Sequence, residues 1–213
     1  MNVVDPVDRL RDARLLLVTD PRPDLAERVA AAVRGGVDIV QLREKGRLAV
    51  ELLALAEELG EVCARRGALF TVNDDPELAR LSGAAGIHLG QEDMSTGEVR
   101  RLLGPETIVG RSAGTVEEAR EAVRDGADYL GAGAVYATPT KPGGDVGGLH
   151  LLRRLSGEGL PVPVFAIGGV TLDTAAEVAA TGVRGFAVVR AVLDAEDPEA
   201  AARDLRSYLP ASR

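Results

Sequence analysis

Residues 15–43 read LLLVTDPRPDLAERVAAAVRGGVDIVQLR, and this stretch decides the fold class. It begins with the apolar run Leu15–Thr19 and ends in a second apolar run, Ile39–Arg43. Between them, Asp24–Arg34 places its apolar residues on one face of a helix. Apolar runs that do not alternate with polar residues are typical of strands buried on both faces of a parallel sheet. The stretch therefore predicts a strand–helix–strand unit.

The same pattern repeats along the rest of the chain. The remaining predicted strands are Leu69–Val72, Gly86–Leu89, Ile108–Ser112, Tyr129–Ala132, Val164–Ile167 and Gly185–Val189. Helical patterns separate them, including Ala49–Arg65 and Val116–Arg124, and Thr115 with Glu118 predicts a capping box at the start of the latter. Eight such units in 213 residues predict a single α/β domain over residues 1–213, a (β/α)8 TIM barrel.

Two further features bear on this architecture. Pro6–Arg14 predicts an extra helix under the barrel. The alternative fold is an open doubly wound sheet, which normally carries a glycine-rich turn after its first strand. Here the first strand is followed by Asp20 and Pro21, without glycine, which favours the barrel.

Composition excludes several classes of protein. Hydrophobic residues make up 46% and charged residues 27%, as in ordinary globular domains. The formal net charge of −8 disfavours a nucleic-acid partner, since such proteins carry excess Lys and Arg. The one cysteine, Cys63, cannot form an internal disulfide. We find neither a signal-peptide pattern nor the ~18 apolar residues of a membrane span. We therefore expect a cytoplasmic protein with no membrane partner; a homo-oligomer is compatible with the sequence.

The end of the second strand carries polar groups suited to an anion. Strand alternation puts Gln41, Arg43 and Lys45 on one face, at the barrel end where this fold holds its chemistry. Arg offers a two-pronged fork to phosphate oxygens and Lys a compact charge. A solvated, charged strand end is the alternative.

Carboxylates follow the third and fourth strands. Asp74 and Asp93 would lie near one another on adjacent strands, and two hard carboxylates beside a phosphate site suggest Mg²⁺. Asp75 precedes Pro76, which is typical of a helix cap. We interpret His88 as a structural histidine within its strand, and the sequence holds no His pair spaced for zinc.

The remaining strand ends supply a hydroxyl, a long loop and glycines. Ser112 would either face the barrel mouth or cap a helix. The loop Tyr136–Gly144 would close over an anionic ligand or simply be a surface loop. Gly168, Gly169 and the turn at Arg190 follow strands seven and eight, where backbone N–H groups commonly bind phosphate in this fold. The residues thus predict two anion sites, for two phosphorylated small molecules or for one bisphosphate.

Five ordered motifs together resemble the thiamine phosphate synthase family, over about Leu15 to Val192. They are QLREK (41–45), NDD (73–75), GIHLGQED (86–93), ADYLGAGAVYATPTK (127–141) and AIGGVT (166–171). The resemblance implies a (β/α)8 barrel and a Mg²⁺-dependent transferase. In the implied reaction, the nitrogen of thiazole phosphate displaces the pyrophosphate of hydroxymethylpyrimidine pyrophosphate to give thiamine phosphate.

The resemblance also implies residue roles. For the pyrimidine pyrophosphate it implies Gln41, Arg43, Lys45 and Asn73. For Mg²⁺ it implies Asp74 and Asp93. For contact with the leaving group during catalysis it implies Ser112, Lys141 and Arg43. For the thiazole phosphate it implies Thr138, Thr140, Gly169 and the backbone near Val189, and the neighbouring Arg190 would add a charge contact.

Two positions depart from the family pattern. Gly114 stands where the family often has His, and Arg190 stands where it usually has Ser. A thiazole tautomerase of the same fold would use that His as its acid/base, so Gly114 argues against this alternative. A non-catalytic barrel that binds thiamine phosphate is a second alternative, distinguished by the absence of turnover. A sugar-phosphate isomerase or epimerase would need a general base pair that the strand ends do not show.

Overall fold

The computed structural model describes residues 6–44, 49–137 and 147–210. Its strands are parallel and form a barrel that closes in sequence order, each strand pairing with the next and the last with the first. The strands are β1 Leu15–Val18, β2 Ile39–Leu42, β3 Leu69–Asn73, β4 Gly86–Leu89, β5 Ile108–Ala113, β6 Tyr129–Ala132, β7 Val164–Ile167 and β8 Gly185–Val188. The (β/α)8 barrel is confirmed, and the open sheet is excluded.

Helices connect successive strands and cover the outside of the barrel. They are α1 Pro6–Asp12, α2 Leu25–Arg34, α3 Ala49–Ala64, α4 Pro76–Leu81, α5 Thr96–Leu103, α6 Val116–Arg124, α7 Gly148–Gly157, α8 Leu172–Ala179, α9 Arg190–Leu193 and α10 Pro198–Ser207. Within the described ranges, no helix combines the length and apolar character that a membrane span requires.

Each strand is buried on both faces, which explains the unbroken apolar runs in the sequence. In β1, Leu16 and Val18 pack inside the barrel, whereas Leu15 and Leu17 pack outward against the helices. The predicted strands agree with the observed ones to within one residue at their ends. The predicted helix under the barrel is also present. It is α1, whose Leu10 packs against the inner core.

Two aspartates fasten the amino-terminal ends of the strands. The Asp38 carboxylate, just before β2, accepts hydrogen bonds from the backbone N–H groups of Arg14 (2.7 Å) and Leu15 (2.9 Å) and from the Arg206 guanidinium of α10. Asp128, just before β6, accepts from the N–H of Val109 (2.7 Å) and from Arg100 (2.8 Å). Side chains thus join neighbouring strands where the backbone ladder begins.

The start of α6 differs from its prediction. Thr115 Oγ1 accepts a hydrogen bond from the Glu118 N–H at 3.1 Å, which is half of a capping box. The Glu118 carboxylate does not return to Thr115; it accepts from the Gly114 N–H at 2.7 Å and from Gln91 at 3.2 Å. The predicted reciprocal box is therefore wrong, since Glu118 stabilises the turn at the end of β5 instead.

Candidate active site

The polar residues that follow the strands gather at the carboxyl-terminal mouth of the barrel. Because the strands are parallel, their carboxyl-terminal ends all lie at the same end of the barrel. Motifs that are far apart in the sequence therefore meet there. Asn73 pairs with His88, and Ser112 pairs with Gly131, near the ends of their strands. The mouth is thus built from β2, β3, β4 and β5 on one side and β7 and β8 on the other.

Arg43 lies at the rim just after β2, and its backbone is hydrogen-bonded to a side chain that follows β1. Thr19, which is fully buried, accepts a hydrogen bond from the Arg43 N–H at 2.9 Å and donates one to the Arg43 carbonyl at 3.3 Å. Gln41 lies two residues below Arg43 on the same strand and is buried. Arg43 therefore faces the mouth from a fixed backbone, while Gln41 contributes to its floor.

Asp74 and Asp93 form a pair of adjacent carboxyl groups. The side chains hydrogen-bond to each other, and Asp93 is oriented by the Gly90 N–H at 2.6 Å. Loss of hydration, followed by the nearby Asp93 charge and hydrogen bond, raises the pKa of Asp74 to about 6, against the opposing effects of Arg43 and Asn73. The structure thus brings together the two residues predicted from separate motifs.

The backbone at Asp74 is unusual. Its φ is +64°, a left-handed conformation that Asp and Asn tolerate better than other side chains. Its N–H donates to the carbonyl of His88 on the neighbouring strand at 2.9 Å. The turn after β3 therefore directs the carboxylate toward β4. A cavity of about 190 Å³ lies beside Asp74, Asn73 and Arg43.

This donor set fits a magnesium ion. Two neighbouring carboxylates repel each other when both are ionised, and a divalent cation bound between them would offset that repulsion. Mg²⁺ is usually held by one or two carboxylates, with waters and substrate phosphate completing its shell. Among the described residues, no group of three or more His, Cys, Asp or Glu side chains is placed to hold a metal. Asp74 and Asp93 would supply two carboxylates, which leaves the other positions around the ion to waters and substrate oxygens.

Ser112 faces the mouth from β5, and its hydroxyl is hydrogen-bonded to a residue in the barrel interior. Its Oγ lies 3.1 Å from Nε2 of His88, whose Nδ1 lies 3.2 Å from the hydroxyl of Tyr129. His88 is 8% exposed and Tyr129 is fully buried. The interpretation of His88 as a structural histidine agrees with these contacts, but they also connect it to a predicted site residue. The Ser112 side chain is not used to cap α6.

Gln91 and Glu118 brace the next turn. The Gln91 amide donates to the Ser112 carbonyl at 2.5 Å and to Glu118, which also accepts from Gly114. A Cβ at Gly114 would meet its nearest neighbour, Glu118, at 3.5 Å, an ordinary contact distance. Backbone crowding therefore does not explain why glycine replaces histidine there.

The turn after β7 requires its two glycines. Gly168 and Gly169 have φ of +96° and +72°. A Cβ at Gly168 would lie 2.8 Å from that of Ala134, and one at Gly169 would lie 2.7 Å from that of Tyr136. Bare backbone therefore lines this part of the mouth, as a phosphate-binding turn requires.

Arg190 follows β8 and Val189, at the start of α9. Its guanidinium lies 3.8 Å from Asp20, and its side chain is 52% exposed. Asp20 also binds Arg22 at 2.5 Å, and Arg22 bonds to Asp194 and to the carbonyl of Leu193. A network of charges from the β1–α2 loop thus fastens the turn after β8.

Several predicted site residues lie outside the described ranges: Lys45, Thr138, Thr140 and Lys141. Sequence reasoning also missed described residues that support the mouth, namely Thr19, Asp20 and Gln91 at its rim and Tyr129 in the barrel interior below it. Thr19 and Asp20 had a usable signal, because they are polar residues at the end of a predicted strand. Tyr129 had none, because an aromatic residue at the start of a strand is ordinary core.

The chain is similar to known proteins over most of its length. The family model described as thiamine monophosphate synthase matches residues 15–192. A thiamine-phosphate synthase from Streptomyces avermitilis is 44% identical over 206 residues, covering 95% of this chain and 96% of that protein. One from Gloeobacter violaceus is 49% identical over 190 residues, covering 89% of this chain but only 55% of that longer protein.

A solved structure agrees with the sequence comparisons. The thiamine phosphate pyrophosphorylase from Pyrococcus furiosus superposes with a TM-score of 0.84 at 38% identity, covering 93% of this chain and 96% of that one. An aldolase for 4-hydroxy-2-oxoglutarate, at 20% identity and a TM-score of 0.69, shares the fold alone.

Proposed function

The chain belongs to the thiamine monophosphate synthase family, and on that premise we propose that it joins hydroxymethylpyrimidine pyrophosphate to thiazole phosphate, releasing thiamine phosphate and pyrophosphate. The observation that carries the proposal is the Asp74–Asp93 pair beside Arg43 at the mouth, with the Gly168–Gly169 turn on the β7 side. This arrangement offers one site to a metal-bound pyrophosphate and another to a phosphate bound by backbone.

The reaction breaks one bond and makes one. The bond between the pyrimidine methylene carbon and the bridging oxygen breaks, and both electrons leave with pyrophosphate. The lone pair of the thiazole nitrogen forms the new carbon–nitrogen bond, and no proton is gained or lost overall. The electron-rich aminopyrimidine can support positive charge on the methylene, so this substitution needs no protein base.

The residues of the chain then act mainly on the leaving group. Arg43, fixed by Thr19, holds pyrophosphate oxygens through its guanidinium fork. Asn73 and Ser112 donate hydrogen bonds from β3 and β5, and Gln41 forms part of the floor. Lys45 and Lys141 add positive charge. Fixed donors and cations aimed at a departing anion lower the barrier most when they need no rearrangement during the reaction.

Magnesium would be held by Asp74 and Asp93 and would supply Lewis-acid stabilisation of the departing pyrophosphate. The two carboxylates lie on the same side of the mouth as Arg43, whose charge lowers the pKa of Asp74. The proposed cation and Arg43 would therefore bind the same anion, the pyrophosphate.

The thiazole phosphate is placed at the other side of the mouth. The backbone at Gly168 and Gly169, the backbone at Val189, and Thr138 with Thr140 form its proposed site. Arg190 stands beside this turn and pairs with Asp20. It does not need to replace a serine hydroxyl if backbone N–H groups hold the phosphate.

The alternative functions gain no support. A tautomerase would lack its acid/base histidine at Gly114, and the paired carboxylates have no use in a barrel that only binds product. We place the reaction in the cytoplasm because its proposed substrates are charged phosphate esters, which do not cross membranes unaided. A homo-oligomer is compatible with the sequence, and sedimentation velocity would show one as a species heavier than the 22.2 kDa chain.

The test is pyrophosphate release by the purified protein with Mg²⁺, hydroxymethylpyrimidine pyrophosphate and thiazole phosphate, leaving out each in turn. We expect release only with all three, with thiamine phosphate appearing at the same rate. Binding of either substrate without release would overturn the proposal and favour a tautomerase or a binding barrel.

A further inference from the structure

A chain of buried hydrogen bonds runs from the barrel interior to the Ser112 hydroxyl. Ser112 Oγ contacts Nε2 of His88 at 3.1 Å, and Nδ1 of the same ring contacts the Tyr129 hydroxyl at 3.2 Å. Both ring nitrogens are therefore engaged along one line that ends at the mouth. A histidine that served packing alone would not need to present one nitrogen to a residue at the mouth.

The barrel interior is shaped to hold both rings. Gly110 on β5 leaves room for Tyr129, because a Cβ there would lie 2.1 Å from the phenol carbon Cζ. Gly131 on β6 leaves room for His88, because a Cβ there would lie 3.3 Å from the imidazole Cε1. Tyr129 also packs edge-on against Phe165, with ring centroids 5.8 Å apart. The orientation of the imidazole is thus set by its surroundings.

Tyr129 is the anchor of the chain. Burial raises the pKa of its hydroxyl far above the ordinary value, so the phenol keeps its proton. The side chains of Gln41 and Thr71 act to lower this pKa, against the larger effect of burial. Thr71 Oγ1 donates to the carbonyl of Val40 at 3.4 Å, so the proton of this hydroxyl is directed to the backbone of β2.

These contacts set the direction of the chain. Among the described residues, Nδ1 of His88 is the acceptor that lies at hydrogen-bond distance from the Tyr129 hydroxyl (3.2 Å), so we assign the phenol proton to that bond. A neutral imidazole that accepts at Nδ1 carries its hydrogen on Nε2, which then donates to Ser112 Oγ. The serine proton is left to point into the mouth.

We propose that His88 is a positioning residue, which, anchored by Tyr129, fixes the Ser112 hydroxyl as a hydrogen-bond donor to the substrate. This inference rests on the proposed function for its kinetic consequence. It assigns His88 no contact with substrate and no proton transfer. Its effect on catalysis passes through Ser112.

A double-mutant cycle tests this route. Asn places its amide near the position of Nδ1 and Gln places its amide near Nε2, so His88→Gln keeps a donor for Ser112 and His88→Asn does not. We expect His88→Asn to lower kcat about 10- to 100-fold, and His88→Gln to recover most of that loss. In a Ser112→Ala background, His88→Asn should change kcat less than about twofold, because its route is already absent. Equal losses in both backgrounds would show a merely structural histidine and overturn the proposal.

A spectroscopic measurement is independent of turnover. The chain has two histidines, and the other, His150 on α7, is exposed. With ¹⁵N-labelled histidine, long-range ¹H–¹⁵N spectra separate the two tautomers, and His150→Asn identifies the His88 signals without touching the site. We expect the Nε2–H form in the wild-type protein and a mixture in Tyr129→Phe. The Nδ1–H form in the wild type would overturn the assignment.

The two proposals fail differently. An absence of pyrophosphate release by the wild-type protein would reject the proposed function, while the tautomer spectrum would still decide the direction of the hydrogen-bond chain. Normal turnover together with additive variants would reject the positioning role alone. Thermal melting of each variant verifies that it is folded, and the spectrum of the unaltered protein does not depend on any variant.

Discussion

Asp74 and Asp75 are adjacent in the chain, yet their carboxylates have different partners. Asp74 lies beside Asp93 of the neighbouring β4 turn, whereas Asp75 accepts the Leu78 N–H at 2.9 Å and caps α4. The left-handed backbone of Asp74 produces this separation, because it reverses the chain between the two side chains. One residue belongs to the proposed metal site and the other to the helix.

This pair gives a matched test of the metal site. Asp74→Asn keeps a side chain that tolerates the left-handed conformation but removes the charge. We expect it to lower kcat/KM at saturating Mg²⁺ by at least about 100-fold, with a melting temperature in EDTA no lower than that of the wild type. Asp75→Ala should retain Mg²⁺-dependent turnover and lose about 1 kcal/mol of stability through the helix cap. Full activity in Asp74→Asn would reject the metal assignment.

The raised pKa of Asp74 predicts a pH dependence of stability without metal. The group's pKa is about 6 in the folded protein against an ordinary 3.8, so the folded state binds this proton more tightly than the unfolded state. Its contribution to stability is therefore fully present below pH 3.8 and is lost as pH rises to about 6. We expect the melting temperature of wild type minus that of Asp74→Asn to fall over this range in EDTA and then level off. A difference that stays constant with pH would contradict the prediction.

Substitution by alanine should change the stability of the protein at one glycine of β5, Gly110, but not at Gly114, just after the strand. At Gly110 the new Cβ would meet the Tyr129 ring at 2.1 Å, whereas at Gly114 the nearest atom is 3.5 Å away. We expect Gly110→Ala to destabilise the protein by about 1–3 kcal/mol, because the buried ring cannot move aside. Gly114→Ala should stay within about 0.5 kcal/mol of wild type and keep its turnover. Urea unfolding and the pyrophosphate assay measure both.

At the scale of elements, the two ends of the strands serve different purposes. The amino-terminal ends carry Asp38 and Asp128, which bind neighbouring backbone N–H groups and the arginines of α10 and α5. The carboxyl-terminal ends carry the proposed substrate residues. The residues that stabilise the barrel and the residues proposed to bind substrate therefore lie at opposite ends of the strands, as is general in this fold.

This separation predicts variants that lose stability without losing activity. Asp38→Ala or Asp128→Ala leaves backbone donors and an arginine without their carboxylate. We expect each to lower the free energy of unfolding by about 1–3 kcal/mol, measured by urea denaturation. The kcat of the folded fraction should stay within about twofold of wild type. A large loss of kcat would show that the two ends are coupled.

At the scale of the whole molecule, closure of the barrel joins the first strand to the last. β8 pairs with β1, and α10 returns to Gly36 and Asp38 through Arg206. Closure leaves no free strand edge in the barrel. It also places the turn after β8 beside Asp20, which follows β1.

Closure predicts that the chain behaves as one domain. A variant ending at Ala127, before β6, would expose β1 and β5 as unpaired edges and leave the inner core without Tyr129 and Phe165. We expect this fragment to aggregate or to lack near-ultraviolet circular dichroism, whereas the full chain shows it. A fragment with fixed tertiary structure would contradict the single-domain proposal for residues 1–213.

Much of the fold and part of the site could be predicted from the sequence. Short apolar runs at regular spacing identified the strands, since burial on both faces demands them. Knowing that parallel strands end at one rim then placed Arg43, Asp74, Asp93 and Gly169 at the same mouth. The resemblance of five motifs supplied the reaction class.

The barrel, the strand ends and the family could be predicted from the sequence, because they depend on periodicity and on ordered motifs. The side-chain partners could not. The sequence did not determine that Glu118 binds Gly114, that Thr19 holds Arg43, or that Tyr129 lies beneath His88. Each of these contacts joins residues whose distance depends on strand register, barrel curvature and rotamer. Register, curvature and rotamer are set by packing across the whole barrel, so they cannot be predicted from a local sequence pattern.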